Sequence, residues 1–179
     1  MSLMGLIPPI GLEIPCSGYG VNIPLQVNVL GIVTLDFKGG IKYRIEANLG
    51  AGLGGVKMKV IGYEQSADSP VLGKVTFSQA DVDTTPLSLL ELTKTLPPTF
   101  RQTTYLDIRV TIEKPPGGGP PLVLMNTKPL TLVNDSLTVF PPQGSVYQLQ
   151  APVDLSPVGN PNQVVATLLQ FPTTWSHNP

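Results

Sequence analysis

Residues 41–60 read IKYRIEANLGAGLGGVKMKV. Ile41, Tyr43, Ile45 and Ala47 alternate with Lys42, Arg44, Glu46 and Asn48, and Val56, Met58 and Val60 alternate with Lys57 and Lys59. Alternation with a period of two describes strands with one face on a core and the other in water. Between the runs lies Gly50-Ala51-Gly52-Leu53-Gly54-Gly55. Its spacing matches G-x-G-x-x-G, but that fingerprint needs a following helix whose N-terminus binds the pyrophosphate. Here a strand pattern follows, so the glycines are read as a hairpin loop.

The same period runs outward along the chain. Leu106, Ile108, Val110 and Ile112 alternate with Asp107, Arg109, Thr111 and Glu113. Further strand candidates are 21–37, 71–79, 121–126, 128–133, 137–141, 144–150 and 163–171, separated by Pro, Gly and Asn-Asp signals. Residues 1–20 read as an extended segment, and Phe171 and Trp175 as anchors of a C-terminal strand. Only Leu87–Lys94 has a pattern that fits a short helix as well as a strand. About ten short strands with turns between them describe an all-β fold, a single-domain antiparallel β-sandwich or β-barrel over residues 1–179. Proline collects at edges and bulges of sheets, so Pro24 inside a strand-like run predicts one or the other there. Residues 114–121, KPPGGGPP, read as a loop within the domain, with stiff ends and a loose centre.

Charge narrows the function classes. The chain has 11 Lys and Arg against 12 Asp and Glu. That balance lacks the basic excess with which nucleic-acid binders neutralise phosphates. One cysteine excludes an intrachain disulfide, and one histidine excludes a multi-histidine metal site. Every Lys and Arg lies between Lys38 and Lys128. Residues 1–37 hold only Glu13 and Asp36 as charges, and residues 129–179 only Asp135 and Asp154. The two charge-poor ends are therefore expected to pack together, and either to be well buried or to carry an interface. The N-terminus has no basic start, and Pro8, Pro9, Glu13 and Pro15 interrupt its apolar run, so no signal peptide and a cytoplasmic setting by default are expected. The longest apolar stretch, Val27–Leu35, is too short to span a bilayer.

Few residues offer chemistry. Lys42, Arg44, Lys57 and Lys59 share the polar face of the glycine-loop hairpin, a candidate anion patch. Arg44 is placed opposite Lys59, and Glu46 is placed to pair with Lys57. Asp81 and Asp83 form an Asp-x-Asp in a turn, short of the six to eight oxygens of a calcium site, so no metal is expected. Cys16 and His177 are the only pair able to form a thiolate–imidazole couple. Asn134-Asp135-Ser136 is read as a turn between strands.

The expected function is therefore a non-catalytic β protein, without cofactor, that binds a small apolar ligand or a protein partner as a homo-oligomer. In the ligand form its pocket is lined by alternating strand residues such as Tyr43, Met58, Ile108 and Val110. A second expectation is a cofactor-independent cyclase or isomerase in a small barrel, working by holding an apolar substrate in a reactive geometry. Tyr43, Tyr105, Arg101 and Glu91 are its candidate catalytic groups. A third is a structural, self-assembling protein.

Overall fold

The computed structural model describes residues 7–82 and 85–177. Among the described residues thirteen strands form one antiparallel sheet. In chain order they are β1 (Glu13–Val27), β2 (Gly31–Asn48), β3 (Gly55–Ser69), β4 (Gly73–Gln79), β5 (Ser88–Thr95), β6 (Pro98–Leu106), β7 (Ile108–Ile112), β8 (Leu122–Asn126), β9 (Leu130–Leu137), β10 (Gln143–Leu149), β11 (Val153–Pro157), β12 (Ala166–Leu168) and β13 (Thr173–His177). The all-β reading of the alternation is what the chain adopts, and the ambiguous Leu87–Lys94 is strand β5.

The sheet closes on itself twice. The long strands β1, β2 and β3 are shared. One ring continues β3-β4-β7-β8-β11-β12 and returns to β1; the other continues β3-β5-β6-β9-β10-β13 and returns to β1. We call these ring one and ring two. After β4 the chain visits the rings in turn, so hairpin β5–β6 belongs to ring two, β7–β8 to ring one, β9–β10 to ring two and β11–β12 to ring one. A single apolar cluster runs through both. In ring one Phe37, Phe77 and Phe171 pack together, with the Phe37 and Phe77 ring centroids 4.3 Å apart. In ring two Trp175 meets Tyr63 edge-on at 6.4 Å.

One interior served by three strands constrains which residues face it. In β2 the inward residues Leu35, Phe37, Ile41, Tyr43 and Ile45 keep one parity from end to end. At Gly39, between them, a Cβ would stand 2.7 Å from the Gln65 Cα and closer still to the Glu64 carbonyl oxygen. Strand β3 crosses β2 there with no room for a side chain. The flanking strands change parity instead. In β1, Ile14 and Cys16 face inward before a register shift between Gly20 and Ile23, and Ile23, Leu25 and Val27 after it. The shift directly precedes Pro24. In β3, Val56, Met58 and Val60 give way to Tyr63, Gln65 and Ala67, with a shift opposite Lys42/Tyr43. An extra residue in one strand flips every side chain beyond it to the other face, and these shifts restore an apolar interior in each ring.

Several expected boundaries change. Candidate 21–37 contains the β1–β2 turn at residues 28–30, where Val29 and Gly31 have positive φ. Candidate 137–141 is mostly turn beyond β9, and 163–171 shrinks to β12. The run Leu106–Ile112 straddles two strands in different rings, with Asp107 as the crossing point. Asn134-Asp135-Ser136 lies within β9, where the Asn134 side chain accepts from Ser136 N at 2.9 Å. Residues 114–121 are the hairpin loop joining β7 to β8, which pair directly. The two charge-poor ends do pack together, through β1–β12 and β1–β13.

Candidate functional site

Three places have geometry that bears on function. The first is a groove of about 650 Å³ at the far end of ring two, where β2 turns into β3. Ile7, Pro8, Pro9 and Ile10 form one wall, and Asn48, Gly50, Gly54 and Gly55 the other. The segment before β1 is held by Gly11 N donating to Ile45 O at 2.8 Å and Ile45 N to Leu12 O at 2.9 Å. Gly50, Gly52 and Gly54 have φ of 61°, 64° and 109°, values that L side chains rarely adopt. The loop therefore curls tightly, and its glycines leave space beside the proline wall. The G-x-G-x-x-G spacing is a hairpin loop, with strand β3 following.

The second place is a set of buried polar side chains in ring two and at its border with ring one, where Gln65 lies opposite Phe77 of β4. The Tyr43 hydroxyl lies 2.7 Å from Thr104 Oγ1. Tyr147 donates to Gln102 Oε1, and Tyr63 donates to Gln65 Oε1 at 2.7 Å. All are buried. Burial pushes the Tyr43, Tyr63 and Tyr147 phenols above their ordinary range. At Tyr43 the bond to Thr104 pulls back in part. Gln65 Nε2 and Gln102 Nε2 have no hydrogen-bond partner among the described residues. Each glutamine is thus held by its oxygen, with its amide nitrogen buried. Sequence reasoning picked out Tyr43 and passed over Gln65, Gln102 and Thr104, because polar residues at inward positions break the alternation that marks a strand.

The third place is the cationic strip. Arg44 and Lys59 are directly opposite across β2 and β3. Lys42 binds Glu13 at 2.8 Å, and Arg44 binds Glu46 at 2.8 Å. Glu46 pairs with Arg44, and not with Lys57 as expected: a register shift between Ile45 and Ala47 puts Ala47, not Glu46, opposite Lys57. The bond to Lys42 holds the Glu13 carboxyl below its usual range, and the bond to Arg44 does the same for Glu46. Arg44 and Lys59 line a groove of about 360 Å³ with Gln79 and Asp81. Asp83, the partner of Asp81 in the Asp-x-Asp, lies outside the described residues.

The other singled-out residues are dispersed. Glu91 and Arg101 are cross-strand partners on β5 and β6. Tyr105 lines a cavity of about 50 Å³ with Lys59 and Asp107, while Tyr43 is inside ring two. The four candidate catalytic groups do not converge on one cavity. Tyr43 and Met58 are buried in strands of ring two, and Ile108 and Val110 in a strand of ring one, all within the one apolar cluster. Cys16 lies opposite His177 in register, but the His177 Nδ1 is 3.0 Å from the Pro15 carbonyl oxygen. Burial pushes the Cys16 thiol up to about 12, so it stays protonated at neutral pH. No helix among the described residues is long and apolar enough to cross a membrane.

No protein-family model matches the chain. No curated protein matches it either. Among solved structures it is similar to DynF from the dynemicin biosynthesis pathway of Micromonospora chersina, with a TM-score of 0.74 and 21% identity over 96% of this chain and 82% of that one; the likeness is one of fold.

Proposed function

We propose that this chain is a non-catalytic β-barrel protein that binds a small apolar ligand in the groove at the far end of ring two. The carrying observation is the groove itself, about 650 Å³ and walled by Ile7, Pro8, Pro9 and Ile10. Ligand pockets commonly span ~300–1,000 Å³, with mostly apolar walls and a few polar groups that orient the ligand. Asn48 supplies a polar group at this groove, and the stiff prolines lower the entropy lost on ordering a wall around a ligand. The dispersal of Tyr43, Tyr105, Arg101 and Glu91 weighs for binding over catalysis. The likeness to DynF, a protein of a biosynthetic pathway, is in keeping with a small-molecule ligand.

Native mass spectrometry of the purified chain, followed by titration with the fluorescent probe 1-anilinonaphthalene-8-sulfonate, tests this. The expected result is saturable binding at one site per chain. Ile10→Asp puts a carboxylate at an exposed position of the wall and is expected to weaken probe binding at least tenfold with an unchanged melt. Probe binding that is absent, or that is the same in Ile10→Asp, overturns the assignment.

A further inference from the structure

We propose that the far end of ring one is a self-association face, covered by the same end of a second copy in a closed two-fold dimer. Strand directions place four loops at that end: 28–30 between β1 and β2, 70–72 between β3 and β4, 113–121 between β7 and β8, and 158–165 between β11 and β12. They are tied pairwise. Asn28 N donates to Val165 O at 2.9 Å and Asn28 Nδ2 to Val164 O at 2.7 Å, while Lys114 N donates to Leu72 O at 2.8 Å. Exposed aliphatic side chains crown the end: Val29, Leu30, Val71 and Val158.

Val29 is the sharpest of these observations. It is 93% exposed at the tip of its turn, and its φ is 71°. A β-branched residue in the left-handed region is a rare and strained arrangement. Asn or Gly would relieve the strain and suit water better. An aliphatic side chain held there gains only if something covers it.

Three arguments select a second copy as the cover. The loops 28–30, 70–72 and 158–165 carry no charge, and 113–121 carries only the opposite pair Glu113 and Lys114. Such an end meets itself without repulsion, whereas an anionic lipid surface draws proteins through clustered Lys and Arg. The four loops hold about two dozen residues, and a standard interface takes ~20–30 a side. Every described strand has a neighbour on both sides, β10 meeting β9 only at Gln148 and Leu149, which leaves little open edge for edge-to-edge assembly and favours contacts through ends or faces. A patch that pairs with itself gives a closed dimer rather than a fibre.

Sedimentation velocity over a concentration series tests the assignment. The expected result is a dimer for the wild type and a monomer for Val29→Lys, in which two charges would meet across the two-fold axis. Val29→Asn, which suits a left-handed turn, is expected to fold at least as well and to weaken the dimer. Leu96→Lys, at the opposite end and 87% exposed, is expected to stay dimeric. A monomeric wild type, a dimeric Val29→Lys or a dissociated Leu96→Lys each overturns the proposal. So does a monomeric wild type that binds neutral phosphatidylcholine vesicles, since lipid is then the cover. Because the groove is at the other end of the molecule, probe binding by Val29→Lys reports on the ligand reading separately.

Discussion

Trp175 lies over Gly18. The two are register partners across β13 and β1, and a Cβ at position 18 would stand 2.8 Å from Cζ3 of the indole and closer still to Cε3. Trp175 is 1% exposed, so the missing side chain of Gly18 is what lets the largest side chain of the core sit flat against β1.

Gly18→Ala is therefore expected to displace the indole rather than merely fill space. The Thr174 carbonyl oxygen also crowds the new methyl, so both backbone and side chain must give. Overpacking of this kind costs about 1–3 kcal/mol. Trp175 is the only tryptophan, which makes its emission a direct readout. The wild type is expected to emit in the blue, as a buried indole does, and Gly18→Ala to emit further to the red with a lower melting temperature. An unchanged spectrum and melt would show that the indole is not confined by Gly18.

The limits of what the sequence discloses follow from the same packing. The runs at 41–48 and 56–60 are legible because each faces the core on one side and water on the other. The segment Pro98–Leu106 is not, because Gln102 and Thr104 occupy inward positions and the apolar–polar code fails. The crossing at Asp107 is hidden for the opposite reason: Leu106 and Ile108 both face one continuous core, so alternation passes from ring to ring without a break. Asp107 is marked only by its bonds, to Asn126 Nδ2 at 2.8 Å and to Thr85. The groove is equally silent in sequence, since its walls lie some 40 residues apart in the chain and meet only through the β1–β2 pairing.

The buried pair Tyr147–Gln102 is expected to behave non-additively. Tyr147→Phe removes the partner of the buried Gln102 oxygen, which costs about 1–3 kcal/mol. Gln102→Leu removes an amide that already lacks a partner for Nε2, but strands the Tyr147 hydroxyl, a loss of about 1 kcal/mol. The double variant removes both partners and is expected to lie near the wild type. Urea unfolding of all four proteins gives the coupling energy. Losses that simply add in the double variant would show that the two groups do not satisfy one another.

Raising the pH is expected to destabilise the fold from about pH 9 upward. In the unfolded chain Cys16 ionises near 9.0 and the tyrosines near 10.0. In the folded chain burial holds the Cys16 thiol protonated up to about 12 and keeps Tyr43, Tyr63 and Tyr147 protonated beyond their ordinary range. Between those values the folded state binds more protons than the unfolded state, so each rise in pH favours unfolding. The stabilisation is complete below pH 9 and is lost as pH climbs toward the folded-state values. Each group that titrates only on unfolding contributes a slope of at most ~1.4 kcal/mol per pH unit. Urea midpoints at pH 8, 9.5 and 11 measure it. Cys16→Ala is expected to remove the earliest part of the decline, that between pH 9 and 10, and to leave the later, tyrosine-driven part. A midpoint that holds level to pH 11 would mean that these hydroxyls and the thiol reach water in the folded protein.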